Sequence, residues 1–380
     1  MSVDTFPPCA TAPILLLGAA LTIMVGCVVV PGLTATAAGL GVSRGADWLV
    51  TLPSLGVILG SPLAGRMIAG PRGGAYRALA IGLAAYGLLG GVAPLLSGPI
   101  AVYADRLLLG VATALVMASG TTLIAAFWPD PVRRLRMIAA QGMAIELGGV
   151  VMLAVSGWLA DRDWRLPFTL YLLAVPLLAA QLRWMPRPPA APPPRDDGPS
   201  GARLPAAVFV IAGGAMGVFF VGVLFLPPAL AAIGLSAAGT GYFLSFVSLV
   251  AVATAFLLPR VVVRLGEGRT FLSAFLAYAA AFTLFALAPR IGLAAYGAGG
   301  VLLGVGFGLS IPLANHAVIE RSPPARRGPA LARLSLAIFL GQFLASFAGF
   351  LPATALTVFP AAAVMALAFA VLAVRHGRPA

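Results

Sequence analysis

Charge is scarce in this sequence, and so are the residues that most catalytic and metal sites need. Only 9% of the 380 residues are charged, and all 24 basic residues are arginine, because the chain contains no lysine. Its two cysteines, Cys9 and Cys27, and its two histidines are too few for a disulfide framework or a structural metal set. The sequence contains no HExxH pattern. We therefore predict neither an enzyme nor a bound cofactor or metal.

Apolar residues take the place of the missing charges. They make up 61% of the chain, and the mean hydropathy is +1.02. A single soluble core does not need so many separate apolar runs. A run of about 20 residues instead matches a hydrocarbon layer of about 30 Å when it is helical. The composition predicts a membrane protein in which each run is a spanning helix.

The apolar runs number twelve and fall into two sets of six. Between the sets lies MPRPPAAPPPRDDGPSGARLP, whose eight prolines exclude a helix and indicate a semi-extended polar linker. The sequence thus predicts an all-α membrane protein with twelve transmembrane helices in two six-helix bundles, residues 1–185 and 204–380, joined by a cytoplasmic linker at 186–203. The predicted spans are 12–39, 47–69, 76–96, 99–127, 135–160, 166–185, 204–233, 238–263, 270–288, 291–319, 329–351 and 353–374.

Arginine is distributed unevenly between the links. Nineteen arginines lie in alternate links and in the C-terminal tail, and only four lie in the opposite links. The positive-inside rule places the arginine-rich side, the linker and both termini in the cytoplasm. A net charge of +13 would suggest nucleic acid as a partner for a soluble protein, but arginines in short links set membrane orientation. We therefore expect the lipid bilayer, and no nucleic acid, as partner, with the chain in a bacterial cytoplasmic (inner) membrane.

Two stretches carry a resemblance to a known family. RLLLGVATALVMASG in the fourth span has Arg106 followed four residues later by Gly110 and then by small residues, and DWRLPF before the sixth span has Trp164, Arg165 and Phe168. In both, the chain resembles the major facilitator superfamily of secondary transporters. The resemblance extends over nearly the whole chain and implies a carrier that works by alternating access.

The chain also departs from that family's patterns. The link after the second span, GSPLAGRMIAGPRGG, lacks the family's acid, and its counterpart PRVVVRLGEGR has Val263 where an acid would stand. In the fifth span Leu153 and Ala154 occupy the places of the Gly-Pro pair that marks antiporters. Export by proton antiport therefore does not follow from that motif.

A carboxylate in the middle of the fifth span needs an explanation. A charge at the bilayer centre costs about 2.5–3.5 kcal/mol on insertion scales, so such residues face a cavity or a partner. Glu146 takes up and releases a coupling proton in one interpretation, and in another it hydrogen-bonds between helices that Gly148 and Gly149 let approach. Direct binding of a cationic substrate is a third interpretation.

Arg106 is the deepest base. It lies seven residues into the fourth span and needs an acceptor, for which Asp105, a carbonyl oxygen or Glu146 is available. The matching arginine of the family is associated with proton transfer or with anionic substrates, and a structural anchor is an equal alternative. A direct ion pair with Glu146 is possible but does not follow from the spacing.

The resemblance further implies that spans 1, 4, 7 and 10 surround a central cavity. The residues it nominates for the lining are Thr34, Arg106, Thr113, Phe220 and Asn315. His316 follows Asn315 and precedes Glu320 by one helical turn, so the two side chains are neighbours that could begin a metal site. No third ligand is near in sequence, which favours hydrogen bonding at a helix interface instead.

These features together predict a secondary active transporter, monomeric and coupled to protons, that exports a small drug-like or metabolite compound. The alternative is uptake of a small organic anion by symport through Arg106.

Overall fold

The computed structural model describes residues 10–42, 45–70, 73–188, 206–323, 327–351 and 355–376. In those ranges it contains thirteen α-helices, three short 3₁₀ segments and no strand. The helices are α1 Thr11–Cys27, α2 Leu33–Gly39, α3 Trp48–Ile68, α4 Gly74–Val92, α5 Pro99–Phe127, α6 Pro131–Ala160, α7 Ala174–Trp184, α8 Ala206–Ala232, α9 Ala237–Leu265, α10 Glu267–Ile291, α11 Leu293–Arg321, α12 Arg327–Leu344 and α13 Ala355–His376.

Eleven helical stretches are long and apolar enough to cross a membrane, and α1 is a shorter apolar helix. Three of the eleven include a 3₁₀ segment: Ala93–Leu95 follows α4, Leu166–Leu173 precedes α7, and Ala345–Phe350 follows α12. The structure thus confirms an all-helical membrane protein. The predicted linker at 186–203 lies outside the described residues from position 189 onward.

The first predicted span, 12–39, was wrong as one continuous helix. The helix α1 ends at Cys27, five residues in bends and turns follow, and α2 begins at Leu33. Pro31 explains the break, because its ring would clash with the carbonyl group four residues earlier, which belongs to Cys27, and because it has no N–H for a helical hydrogen bond. The sequence contained this signal.

Inter-residue contacts divide the chain into two compact units, Met1–Pro194 and Arg195–Ala380. In the first, which we call the N-unit, α5 packs against α3 and α4 while α1 packs against α6. In the second, the C-unit, α11 packs against α9 and α10, α10 packs against α13, and α8 packs against α12. In each unit, small residues determine which helices approach each other most closely.

Glycine produces the closest helix contacts. A Cβ atom on Gly110 of α5 would collide with the carbonyl oxygen of Pro53 in α3, so only glycine allows these helices to approach. In α11, Gly304 and Gly308 meet the backbone carbonyls of Val247 and Ala251 in α9 in the same way. The glycines of the run GAGGVLLGVGFG, residues 297–308, thus allow α11 to pack closely against α9.

Candidate functional site

Arg106 is the most deeply buried charge among the described residues. Its side chain is 1% exposed, and it forms an ion pair with the carboxylate of Asp105, which is 7% exposed. Two of its nitrogens, Nε at 3.1 Å and Nη2 at 2.7 Å, donate to Oδ2 of Asp105. Of the acceptors considered from the sequence, the structure thus selects Asp105 for Arg106.

Aromatic rings enclose the guanidinium of Arg106. Its Cζ atom lies 5.4 Å from the ring centre of Phe168 and 5.6 Å from that of Tyr171, distances at which a cation interacts with a π face. Nη1 also donates to the Tyr171 hydroxyl at 3.5 Å. Tyr86 packs 5.4 Å from Tyr171 and donates its hydroxyl hydrogen to the carbonyl of Leu21.

The two stretches that carry the family resemblance meet at this cluster. The ring of Trp164 lies over Gly39, where a side chain would not fit, and meets Phe168 edge to face at 6.4 Å. Phe168 in turn packs on Arg106. One turn farther along α5, Gly110 permits the close approach of α3. The spacing of Arg106 and Gly110 therefore places a buried charge next to a tight helix crossing.

Glu146 lies in the middle of α6, 15 residues after Pro131 and 14 before Ala160. It is half-buried. Nearby, a Cβ atom on Gly148 would lie 3.0 Å from the Cβ atom of Ala20, so α1 passes very close to this part of α6. Within the described part of the chain, no residue forms an ion pair or a hydrogen bond with the Glu146 carboxylate. Arg106 is already paired with Asp105.

The threonines nominated as cavity lining have different environments. Thr113 is buried, and its hydroxyl donates to the carbonyl of Leu109 at 2.8 Å, within its own helix α5. Thr34 is exposed on α2, next to the break after α1. The structure therefore leaves the hydroxyl of Thr34 accessible and that of Thr113 enclosed within the N-unit.

Phe220 lies in the C-unit beside an aromatic pair. It is 8% exposed and meets Phe219 at 6.0 Å, while Phe219 packs 4.3 Å from Phe307 of α11. One turn beyond, Ser310 and Tyr278 share a hydrogen bond of 3.1 Å. Phe219 and Phe307 are both half-buried, so α8 and α11 present aromatic surface that the unit does not fully cover.

Asn315 and His316 lie near the end of α11. The amide of Asn315 donates to the carbonyl of Ile311 at 3.0 Å, and His316 is exposed. Over the described ranges, no group of three His, Cys, Asp or Glu side chains is placed to hold a metal ion. The structure therefore does not join His316 and Glu320 into a larger ligand set.

Comparison with known families agrees with the helix pattern. The profile of the Major Facilitator Superfamily matches residues 15–346. The chain belongs to this superfamily. Its members are transporters, so the chain is a transporter and not an enzyme.

Solved structures of transporters share the fold at low sequence identity. A mutant of the peptide transporter POT has a TM-score of 0.75 and 14% identity, over 100% of this chain and 96% of that chain. A bacterial homologue of the human lysosomal transporter Spinster has a TM-score of 0.71 and 17% identity, over 100% of both chains. The xylose transporter XylE from E. coli has a TM-score of 0.71 and 17% identity, over 97% of this chain and 95% of that one. A search of curated proteins found no match.

Sequence reasoning missed the two tyrosines of the Arg106 cluster. Tyr171 lies three residues after Phe168, one turn farther along the 3₁₀ segment, and that spacing was the available signal. Tyr86 comes from α4, and only the packing of α4 against that segment brings it to Tyr171. Both tyrosines belong to the buried cluster around Arg106.

Proposed function

We propose that this superfamily member is a proton-coupled secondary active transporter that exports a small organic compound, with Glu146 as its proton-binding residue. In this proposal twelve spans form two six-helix bundles, 1–185 and 204–380, with the 186–203 linker and both termini in the cytoplasm. The protein acts as a monomer in a bacterial inner membrane. The observation that carries the proposal is the unpaired carboxylate at the centre of α6.

Two carboxylates of the described residues lie more than one turn inside a helix, and they differ in their partners. Asp105 is neutralised by Arg106, whereas Glu146 has no cationic partner in the described ranges. A lone carboxylate at this depth is costly to keep ionised, so it takes up a proton unless water or a cation reaches it. Alternating exposure of such a group to the two sides of the membrane would move protons along their gradient.

The relatives and the lining residues support the rest of the proposal. One structure with a TM-score of 0.70 and 17% identity is a D-xylose-proton symporter, and proton coupling in that protein makes it reasonable here. The helix α8 carries no charged residue over its whole length. Aromatic and apolar surface on α8 and α11 suits a neutral or weakly charged amphipathic compound, such as a drug-like molecule or a metabolite.

Uptake of a small organic anion through Arg106 is the alternative, and it has less support. A substrate carboxylate would need to displace Asp105 from the guanidinium, which is enclosed by Phe168 and Tyr171. Leaving a buried charge without its partner is strongly unfavourable. The enclosed geometry instead favours Arg106 as a structural anchor.

The decisive experiment measures transport in proteoliposomes with and without an imposed pH gradient, using Glu146→Gln and, as matched control, Glu320→Gln. Glu320 is exposed at the end of α11. A panel of candidate compounds, tested first on the unmodified protein in inside-out vesicles, supplies the substrate and the direction. We expect Glu146→Gln to abolish gradient-driven accumulation, because glutamine cannot release a proton, while exchange of labelled for unlabelled substrate continues.

Two outcomes would overturn this assignment. Unchanged gradient-driven accumulation in Glu146→Gln would remove Glu146 from proton coupling. Equal loss of exchange and of accumulation in a variant that still elutes as a single folded species would give the carboxyl group a structural or substrate-binding role. The Glu320→Gln control should behave as the unmodified protein in both assays.

A further inference from the structure

A deep apolar cleft runs between α12 and α13 in the C-unit. Its cavity has a volume of about 580 Å³, and nineteen residues of α8, α12, α13 and the 3₁₀ segment after α12 line it. All nineteen are glycine, alanine, valine, leucine, methionine or phenylalanine. The lining therefore offers no polar side chain to a ligand.

Glycine contacts on α8 create this cleft. On one side, a Cβ atom on Gly341 of α12 would collide with the carbonyl oxygen of Gly213, so the backbones of α8 and α12 touch. On the other side, the ring of Phe369 in α13 lies directly over Gly214, and Phe275 stacks on that ring at 5.6 Å. Both helices thus pack on α8 but make little or no direct contact with each other along their described residues.

The cleft runs along the helices that line it. On α13 its lining extends from Val358 to Phe369, eleven residues apart, which corresponds to roughly 16 Å at 1.5 Å per residue. This is about half of a hydrocarbon layer of roughly 30 Å, the depth of one leaflet.

One long side of the cleft is open. Its rim carries Val210, Leu340 and Leu344, which are 52%, 47% and 52% exposed, whereas its floor carries Val221 and Ala362, which are 2% and 3% exposed. All five belong to membrane-spanning stretches. The opening therefore lies at the level of the hydrocarbon layer.

We propose that this cleft is a binding site for one acyl chain of a bilayer lipid. Water is excluded as the occupant because a bound water needs two to four polar partners, and the lining has no polar side chain. Because the opening lies in membrane-spanning stretches, the acyl chains of the bilayer are the apolar groups that surround it. A methylene chain fits, since its carbons pack about 4 Å from their neighbours and regain dispersion contacts that an empty cleft forfeits.

The test uses a phosphatidylcholine that carries a photoreactive diazirine in the middle of one acyl chain, reconstituted with the full-length protein. After irradiation, mass spectrometry maps the labelled residues. We expect labelling to concentrate on cleft residues such as Met365 and Leu344. It should exceed labelling of Phe256 on α9, which is 80% exposed and lies outside the cleft.

A matched pair of variants separates this site from ordinary boundary lipid. Ala361 lines the cleft and Ala368 does not, and both are exposed alanines of α13. Ala361→Phe fills the cleft and should reduce labelling of its residues by about tenfold. Ala368→Phe should leave the labelling unchanged. If Ala361→Phe does not fold, Ala348→Leu on the opposite wall provides the same test.

A second readout follows thermal unfolding of detergent-purified protein. Added phosphatidylcholine should raise the Tm of the unmodified protein and of Ala368→Phe more than that of Ala361→Phe, because a ligand stabilises the state that binds it. Uniform labelling of all exposed apolar residues, or equal labelling of the cleft in both variants, would show boundary lipid only and overturn the proposal.

Discussion

The two units share a packing plan but differ in where they hold charge. In both, the first helix of the unit packs along its fifth span, α1 on α6 and α8 on α12, and tight glycine contacts set the closest approaches. The buried charged side chains of the described residues, Asp105 and Arg106, belong to the N-unit, and Glu146 lies there too. The buried polar side chains of the C-unit are neutral.

This difference concerns how each unit offsets the cost of burying polar groups. In the N-unit, the ion pair with Asp105 and the rings of Phe168 and Tyr171 offset the cost of burying Arg106. Glu146 has no ionic partner in the described ranges. The C-unit offers apolar and aromatic surface and an apolar cleft. Among the described residues, buried charge is therefore found in the first unit, and the buried polar side chains of the second unit are neutral.

The largest expected effect tests what the units share. Gly110→Ala in the N-unit and Gly341→Ala in the C-unit each drive a Cβ atom into a backbone carbonyl, of Pro53 and of Gly213 respectively. We expect each change to cost about 3 kcal/mol or more, because backbones of packed helices must separate. Size-exclusion profiles and the Tm of the purified variants measure this loss.

Two glycines with open space provide the controls for that experiment. A Cβ atom on Gly142 or Gly297 would meet nothing within 4 Å. Gly142→Ala and Gly297→Ala should therefore keep or slightly raise the Tm, since alanine favours the helix. If Gly110→Ala is as stable as Gly142→Ala, the close approach of α3 and α5 is not required.

The next largest effect tests the buried ion pair, which the N-unit has and the described part of the C-unit lacks. Asp105→Ala removes the partner of a buried arginine, and we expect a loss of about 3–5 kcal/mol. Glu267→Ala breaks the C-unit ion pair with Arg321, whose side chains are 30% and 36% exposed, and should cost at most about 1 kcal/mol. Thermal unfolding in detergent compares the two variants.

The double variant Asp105→Asn with Arg106→Met removes both charges and should recover part of the stability lost in Asp105→Ala. Equal destabilisation by Asp105→Ala and Glu267→Ala would contradict the view that buried charge distinguishes the N-unit.

The smallest effect concerns neutral hydrogen bonding in the C-unit. The hydroxyl groups of Tyr278 and Ser310 are 3.1 Å apart, and Tyr278 is fully buried. Tyr278→Phe should cost about 0.5–1.5 kcal/mol, the usual contribution of one neutral hydrogen bond. A double-mutant cycle with Ser310→Ala measures the coupling, and additive losses would show that the two hydroxyl groups do not interact.

Hydropathy predicted most of the fold because a hydrocarbon solvent forces backbone groups into helices, so each apolar run must be a helix. The predicted span 99–127 coincides with α5, Pro99–Phe127. The helices α10 and α11 begin at Glu267 and Leu293, a few residues from the predicted starts at 270 and 291. The difference arises because Gly266 and Gly292, at φ +76° and +95°, let the chain turn directly from one helix into the next. Pro31 also indicated the end of the first helix, but the predicted span followed the apolar run past it.

The candidate site was only partly predictable. Depth within an apolar run identified Arg106 and Glu146, because a charge inside such a run is rare. Their partners were not predictable, since Asp105 and Glu146 were both acceptable acceptors in sequence and only the side-chain geometry selects Asp105. Phe168 and Tyr171 reach the guanidinium through a 3₁₀ segment that no sequence pattern distinguished from an α-helix.

The sequence by itself determined that the chain crosses lipid as helices, where most of those helices begin and end, and which few charges lie among them. These features depend on local composition and on the cost of exposing backbone groups to hydrocarbon. Only the tertiary structure decided that Arg106 is enclosed, that Glu146 has no ionic partner in the described ranges, and that α12 and α13 part to form a cleft. Those outcomes depend on contacts between distant helices, which the order of residues along one helix does not specify.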